Sequence, residues 1–291
     1  MGIGEVFQQF CDNLKVTTGA TISYRYQRIT RQLNTDFYGY ANDTYHSIYT
    51  GSYGRDTAIE GFSDHDMLFW LRPEDYKRFD SYAGNGQSAM LQEVRTSIKR
   101  TYPNTETSGD GQVVVVAFDD GMRFEIAPGF ELTDNRFKCP NSNAGGTWYI
   151  TDPRAEQAAI NKKNEEWNRN LKRLARMARA WKRTWTVPIG GLLVDTLAHN
   201  FLGSWQYRDK SYIYYDWMSR DFFSYLMNQV PTQTYWLAPG SNQYVWRTGD
   251  FEYKAKRCYN ISLEAIEADG KGYEHTRNQK WRDIYGTKFP A

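Results

Sequence analysis

The sequence has too little cysteine, and too widely scattered, for any framework built on it. Cys11, Cys139 and Cys258 are odd in number, far apart and without a CxxC pair, which excludes a disulfide scaffold and a zinc module and predicts a reducing, cytoplasmic setting. No run of 18 apolar residues occurs, and the opening MGIGEVFQQFCDNL lacks the basic start and long apolar stretch of a secretion signal, so no membrane segment is expected. Excess charge is also missing: 36 Lys and Arg against 34 Asp and Glu leave a formal charge of +2, which excludes a polycation that coats nucleic acid and requires any anion site to be local. Low-complexity tracts and internal repeats are absent.

What is present is the composition of a folded chain. Of the 291 residues, 40% are hydrophobic and 16% aromatic, enough for one large domain or two lobes of ordinary size. Apolar residues at helical spacing (Val6, Phe7, Phe10; then Ile22, Tyr26, Ile29, Leu33, Phe37) predict helices over 3–15 and 17–37. The run DHDMLFWL, residues 64–71, predicts a buried strand closed by Arg72-Pro73, and 91–100 predicts a helix. QVVVVAF (112–118) and MRFEIA (122–127) flank Asp119-Asp120-Gly121, the pattern of a hairpin. Beyond Asp152-Pro153 one periodic helical segment is expected to about Trp185, with mostly helix after it. The expected fold class is α+β, a sheet-containing lobe over 1–150 and a helical lobe over 151–291, with a cleft expected between them.

The chemistry concentrates in GSYGRDTAIEGFSDHDMLFWL, residues 51–71. Alternation along a strand sends Asp64 and Asp66 to one face and His65 to the other, where a packing role is expected for the imidazole. Two neighbouring carboxylates at the end of an apolar strand repel and lose hydration unless a cation bridges them. Glu125, on the second strand of the hairpin, can face the same place. Three carboxylates on adjacent strands suit two hard divalent ions, Mg²⁺ or Mn²⁺, arranged for displacement at phosphorus. Gly51 and Ser52 form a small-residue turn whose backbone N–H groups can take a polyphosphate tail, so the nucleotide expected is a triphosphate.

Gly-Ser, a spacer, Asp-x-Asp on a strand and a later third carboxylate together resemble the nucleotidyltransferase superfamily of DNA polymerase beta type. Phe124-Glu125-Ile126-Ala127-Pro128-Gly129 resembles the third-carboxylate strand of the cyclic GMP-AMP synthase/DncV-like nucleotidyltransferases, the CD-NTases. The tail Trp281-Arg282-Asp283-Ile284-Tyr285-Gly286-Thr287-Lys288-Phe289-Pro290 resembles the end of their bacterial members. The resemblance implies a two-lobed enzyme that joins nucleoside triphosphates into a cyclic di- or trinucleotide, which as a diffusible second messenger acts on a separate effector in anti-phage defence. It also implies a triphosphate-binding basic residue on the helix KRLARMARAWK, where Arg176 and Arg179 share a face; a solvated basic face is the structural alternative.

In two places the chain departs from the family pattern. The third carboxylate is Glu125 where Asp is commoner, and Pro188-Ile189-Gly190-Gly191-Leu192-Leu193 offers no hydroxyl where the family often has a Ser-Tyr pair on the donor nucleotide. No Cys-His cluster resembles the zinc insertion of the animal DNA sensor, so direct DNA sensing by that route is not expected. Two further readings stay open on the residues: nucleotide addition to an RNA or protein end, and an inert nucleotide-binding sensor. The aromatic-rich stretch from Trp205 to Trp217 is read as core rather than as a base-stacking surface.

Overall fold

A computed structural model describes residues 1–61 and 64–291; Phe62 and Ser63, in the spacer before Asp64, lie outside the described residues. The chain begins with helices α1 (Ile3–Asn13) and α2 (Gly19–Tyr38), strand β1 (Ser47–Tyr49), the single turn α3 (Gly51–Gly54) and strand β2 (His65–Leu71). Helices α4 (Pro73–Asp80) and α5 (Gly86–Thr101) follow, then strands β3 (Glu106–Asp110), β4 (Val113–Ala117), β5 (Arg123–Glu131), β6 (Phe137–Asn141) and β7 (Thr147–Thr151). The remainder comprises α6 (Pro153–Glu166), α7 (Asn170–Thr184), α8 (Gly191–Ser204), α9 (Tyr215–Met227), the short strands β8 (Tyr235–Leu237) and β9 (Tyr244–Trp246), α10 (Glu252–Gly270) and α11 (Glu274–Tyr285).

Two compact units share these elements. The sheet unit is Thr17–Arg55 with Gly61–Arg154; the helical unit is Met1–Val16, Asp56–Glu60 and Ala155–Ala291. This differs from a single division at 150/151, because α1 and the five residues Asp56–Glu60 pack with the helical unit. The cause lies at the far end of the chain. Phe7 of α1 meets Trp281 and Phe289 edge-to-face, each at 5.2 Å between ring centres, and Phe10 packs on Tyr285 and Phe289. All five rings are buried, so the tail 281–290 secures α1 through apolar area, at roughly 1.5–3 kcal/mol for each large side chain withdrawn from water.

In the sheet unit the strand order is β1-β2-β5-β4-β3, with β6 paired to β5 and β7 to β6. β2 and β5 run parallel and the other pairs antiparallel, which makes the sheet mixed. Strand alternation decides the two faces. Met67, Phe69 and Leu71 are buried on one, where Phe37 of α2 reaches Phe69, while Asp66 and Trp70 are half-buried on the other. The hairpin expected around Asp119-Asp120-Gly121 is the β4–β5 pair, with Ala117 opposite Arg123. β5 runs on through Pro128-Gly129 to Glu131, four residues past the expected end.

In the helical unit the single helix expected to Trp185 is instead two, α6 and α7, separated by Asn168 (φ 51°) and Arg169 (φ 64°) in the left-handed region. Trp181 of α7 is fully buried and donates from Nε1 to Cys258 Sγ at 3.2 Å. All three cysteines are buried thiols with no disulfide among them. Among the described residues no helix is long and apolar enough to cross a membrane.

Candidate active site

The site is built on the parallel β2–β5 ladder. In its register Asp66 stands directly beside Glu125, His65 beside Phe124 and Met67 beside Ile126. Adjacent strands lie under 5 Å apart, so two like charges on one face at matched positions are held close together by the backbone. His65 is buried on the opposite face, with its ring edge-on to Tyr53 and packed on Phe124, as strand alternation predicts. Asp64 lies one residue before β2 and is exposed.

The electrostatics of the ladder show in Asp66. Burial, reinforced by the charges of Glu125 and Asp64 and opposed by Arg55, pushes its carboxyl up from 3.8 to about 6. Arg55 is itself buried, at the end of the α3 turn. The Arg123 guanidinium reaches across the exposed side of the cluster: Nη2 and Nε donate to Glu125 Oε1 at 3.0 and 3.2 Å, and Nε stands 3.8 Å from Asp64 Oδ1. A cation therefore already sits on the carboxylates. Among the described residues no three His, Cys, Asp or Glu side chains are gathered closely enough to enclose a metal ion as they stand.

Gly51 adjoins the same cluster. It adopts φ +56°, and a β-carbon built on it would overlap the Asp66 carboxylate and stand 2.8 Å from Asp66 Cβ. Only glycine permits both the left-handed backbone and the close approach. The turn is fixed to the strand by the Thr50 amide donating to the Asp66 carbonyl at 2.9 Å, and Ser52 lies in its first turn. Gly51, Asp66 and Glu125 are thus contiguous, and Arg123 links Asp64 to Glu125. Such a donor set, three carboxylates with water-accessible sides and no imidazole or thiolate, fits hard divalent cations.

The basic helix is placed differently in its two arginines. Arg176 Nη2 donates to the Asp56 carbonyl at 2.8 Å and to the Asp56 carboxylate, which Lys172 Nζ also approaches at 3.2 Å. Asp56 takes φ 55°, a left-handed conformation that presents its carbonyl and carboxylate to the same guanidinium. Arg179 is buried against the fully buried Asp195 of α8: Nη1 and Nη2 both donate to that carboxylate, the latter at 3.0 Å, and Nη2 also donates to the Gly191 carbonyl at 3.1 Å. Thr57 Oγ1 gives Asp195 a third donor at 2.9 Å. The start of α8 is thereby tied to α7 through Gly191.

Sequence reasoning missed Arg55, Arg123 and the buried Asp195 that engages Arg179 and Thr57. Arg123 was within its reach, because a residue two before Glu125 on the same strand must share its face. Most of the aromatic stretch is core: Trp205 and Tyr215 are buried and Tyr207, Tyr212 and Tyr214 pack against them, while Trp217 is exposed.

This geometry meets known proteins at two levels. Residues 1–164 match the family described as the Second Messenger Oligonucleotide or Dinucleotide Synthetase domain, more than half of the chain, and the protein belongs to that family. A probable cyclic nucleotide synthase of Bacillus cereus (strain VD146) is 24% identical over 181 residues, 58% of this chain and 52% of the relative, so the match spans about half of the relative's length.

Solved structures agree on the fold. CdnC of E. coli MS115-1, in its complex with HORMA-deltaN, covers 99% of this chain and 98% of its own with a TM-score of 0.71 at 14% identity. CdnG of Bradyrhizobium diazoefficiens, in complex with GTP, covers 97% and 94% with a TM-score of 0.69 at 11% identity. DncV of Vibrio cholerae covers 84% of this chain and 69% of its own at 0.67 and 15% identity. The chain has the CD-NTase fold, α+β with a polymerase-beta-like mixed sheet and a helical unit.

Proposed function

We propose that this protein joins nucleoside triphosphates into a cyclic di- or trinucleotide second messenger, with Asp64, Asp66 and Glu125 as the ligands of two divalent ions, Mg²⁺ or Mn²⁺. The observation that carries this reading is the register that sets Asp66 beside Glu125, with Gly51 pressed against Asp66. A carboxylate pair held at that separation on a half-buried face costs stability, as the raised Asp66 carboxyl indicates, and cations are the natural compensation.

When bound, such ions activate an attacking sugar hydroxyl and neutralise charge on the α-phosphate and the departing pyrophosphate. The chain's own residues do the positioning. Asp64 and Asp66 would hold the ions together with Glu125 of β5. Gly51 and Ser52 are proposed as ligands of the triphosphate tail, with the backbone able to approach closely because position 51 has no side chain. On the helical unit Arg176 is proposed as a further phosphate ligand. Arg179, also a phosphate candidate by its spacing, has its guanidinium committed to Asp195, so a phosphate would have to displace a buried carboxylate to reach it.

Nucleotides appear with relatives of the same fold: CdnC of E. coli MS115-1 with ATP, and CdnG with GTP. A diffusible cyclic product would act on a separate effector, in keeping with a role in anti-phage signalling. CdnC also forms a complex with HORMA-deltaN, which makes a regulatory protein partner reasonable here. The protein is incubated with labelled nucleoside triphosphates and Mg²⁺ or Mn²⁺, treated with phosphatase and chromatographed. A phosphatase-resistant cyclic product is expected. Linear products extended on an added RNA or protein acceptor, with no resistant species, would replace this reading with transfer to a macromolecular end.

A further inference from the structure

We propose that Arg123 is the resident counter-ion of the carboxylate cluster, and that its ion pair with Glu125 and a divalent ion at the same carboxylates are mutually exclusive. This rests on the proposed metal site and adds a residue to it.

Three features of this chain converge on the inference. Arg123 is the first residue of β5, two before Glu125, so alternation puts both side chains on one face without any loop rearrangement. Its Nε and Nη2 converge on one oxygen, Glu125 Oε1, at 3.2 and 3.0 Å, while Nε also stands 3.8 Å from Asp64 Oδ1. The guanidinium thus spans two of the three carboxylates, as a bridging cation would. The cluster also holds a second arginine that behaves differently: Arg55 is 5% exposed, whereas the Arg123 side chain is 41% exposed. Arg55 is fixed in place; Arg123 has solvent to swing into and several rotatable bonds with which to do so.

Charge counting gives the consequence. Asp64, Asp66 and Glu125 against Arg55 and Arg123 leave one net negative charge, a state the fold can hold without metal. A divalent ion chelated by both Glu125 oxygens competes with Arg123 for Oε1, and with Arg123 still in place the local charge would change sign. For the first of the two ions, release of Arg123 keeps the site near neutral. Arg123 therefore weakens metal binding while protecting the metal-free fold from its own carboxylates, so the two states exchange one cation for another.

The test follows Arg123 directly. The Nε–H resonance of Arg123 in the ¹⁵N spectrum, assigned by its loss in Arg123→Gln, is recorded in the metal-free protein and again at saturating Mg²⁺; Mn²⁺ affinity is measured by water-proton relaxation. On Mg²⁺ addition the resonance is expected to move to the position of solvent-exposed arginine side chains. Arg123→Gln should bind Mn²⁺ about twofold to fivefold tighter, the scale of an exposed ion pair. Arg123→Lys, which keeps the charge without the fork, should fall between. An unmoved resonance while Mn²⁺ binds, or equal Mn²⁺ affinity in wild type and Arg123→Gln, overturns the role of Arg123 alone. Equal Mn²⁺ affinity in wild type and the Asp64→Asn/Asp66→Asn double variant overturns the metal site as well.

Discussion

Gly51 and Asp66 are so closely apposed that no side chain fits between them: a β-carbon at position 51 would stand 2.8 Å from Asp66 Cβ and overlap its carboxylate. Gly51→Ala must therefore displace Asp66, besides placing a side chain at φ +56°, which costs about 1–2 kcal/mol. We expect product formation to fall at least about a hundredfold, the scale of misplacing a reacting group by an ångström, with a thermal midpoint only a few degrees lower. Wild-type turnover in Gly51→Ala would show that Asp66 can move without consequence.

The Asp64→Asn/Asp66→Asn variant is expected to make no cyclic product, because neutral amides of nearly the same volume cannot hold divalent ions. It should also be more heat-stable than the wild type in metal-free buffer at pH 7.5. Asp66 is half-buried beside Glu125, and of the two charges removed it is this one that relieves a cost of roughly 1–3 kcal/mol, Asp64 being exposed. Scanning calorimetry with chelator present measures this. A lower midpoint than wild type would mean that the carboxylates stabilise the metal-free fold and that the site is not under the strain argued for it.

Arg179 offers a clean separation of structure from binding. Its pair with Asp195 is buried on both sides, so Arg179→Ala leaves an uncompensated carboxylate and should cost about 3–5 kcal/mol in urea unfolding. Replacing both partners by apolar residues, Arg179→Met with Asp195→Leu, should recover part of that loss. Unchanged stability in Arg179→Ala together with lost affinity for a non-hydrolysable triphosphate would make the guanidinium a phosphate ligand instead.

Asp216, in the first turn of α9, is predicted to make stability depend on pH. Burial pushes its carboxyl up from 3.8 to about 6, opposed by the Trp217 amide and Arg220 and aided by Asp269. Between those values the folded protein holds a proton that the unfolded chain has lost, so this group favours the fold at low pH and disfavours it as pH rises through about 6. Asp216→Asn, whose amide oxygen can still accept from Trp217, should raise the thermal midpoint by a few degrees at pH 8 and leave it nearly unchanged at pH 4. An equal gain at both pH values would remove the titration from the explanation.

The sequence revealed most where the physics is local. Alternation placed His65 and Asp66 on opposite faces, and the Asp-Asp-Gly turn brought Glu125 onto a strand beside β2. Long-range partners were not legible. Nothing near Phe7 and Phe10 announces Trp281 and Phe289, and nothing in α7 announces that Arg179 will meet Asp195. The break between α6 and α7 escaped for another reason: Asn168 and Arg169 adopt the left-handed conformation without the glycine or proline that marks such positions. β8 and β9, three residues each, are too short for a periodic pattern.

The five residues Asp56–Glu60 carry a consequence for modularity. They interrupt the sheet unit between Gly51-Ser52 and Asp64-Asp66, yet Thr57, Ala58 and Ile59 are buried with the helical unit, where Thr57 serves Asp195. The chain thus passes between units four times, and no single cut yields two complete pieces. A fragment ending at 154 would carry off α1 and one of the donors to Asp195, Thr57, leaving the remainder with an exposed aromatic groove and a buried carboxylate that keeps Arg179 but loses Thr57. Recombination between relatives therefore cannot trade the helical unit as a cassette: a productive crossover has to bring along the residues Asp56–Glu60 that lie between Gly51-Ser52 and the aspartates, so that the two halves inherit their changes together.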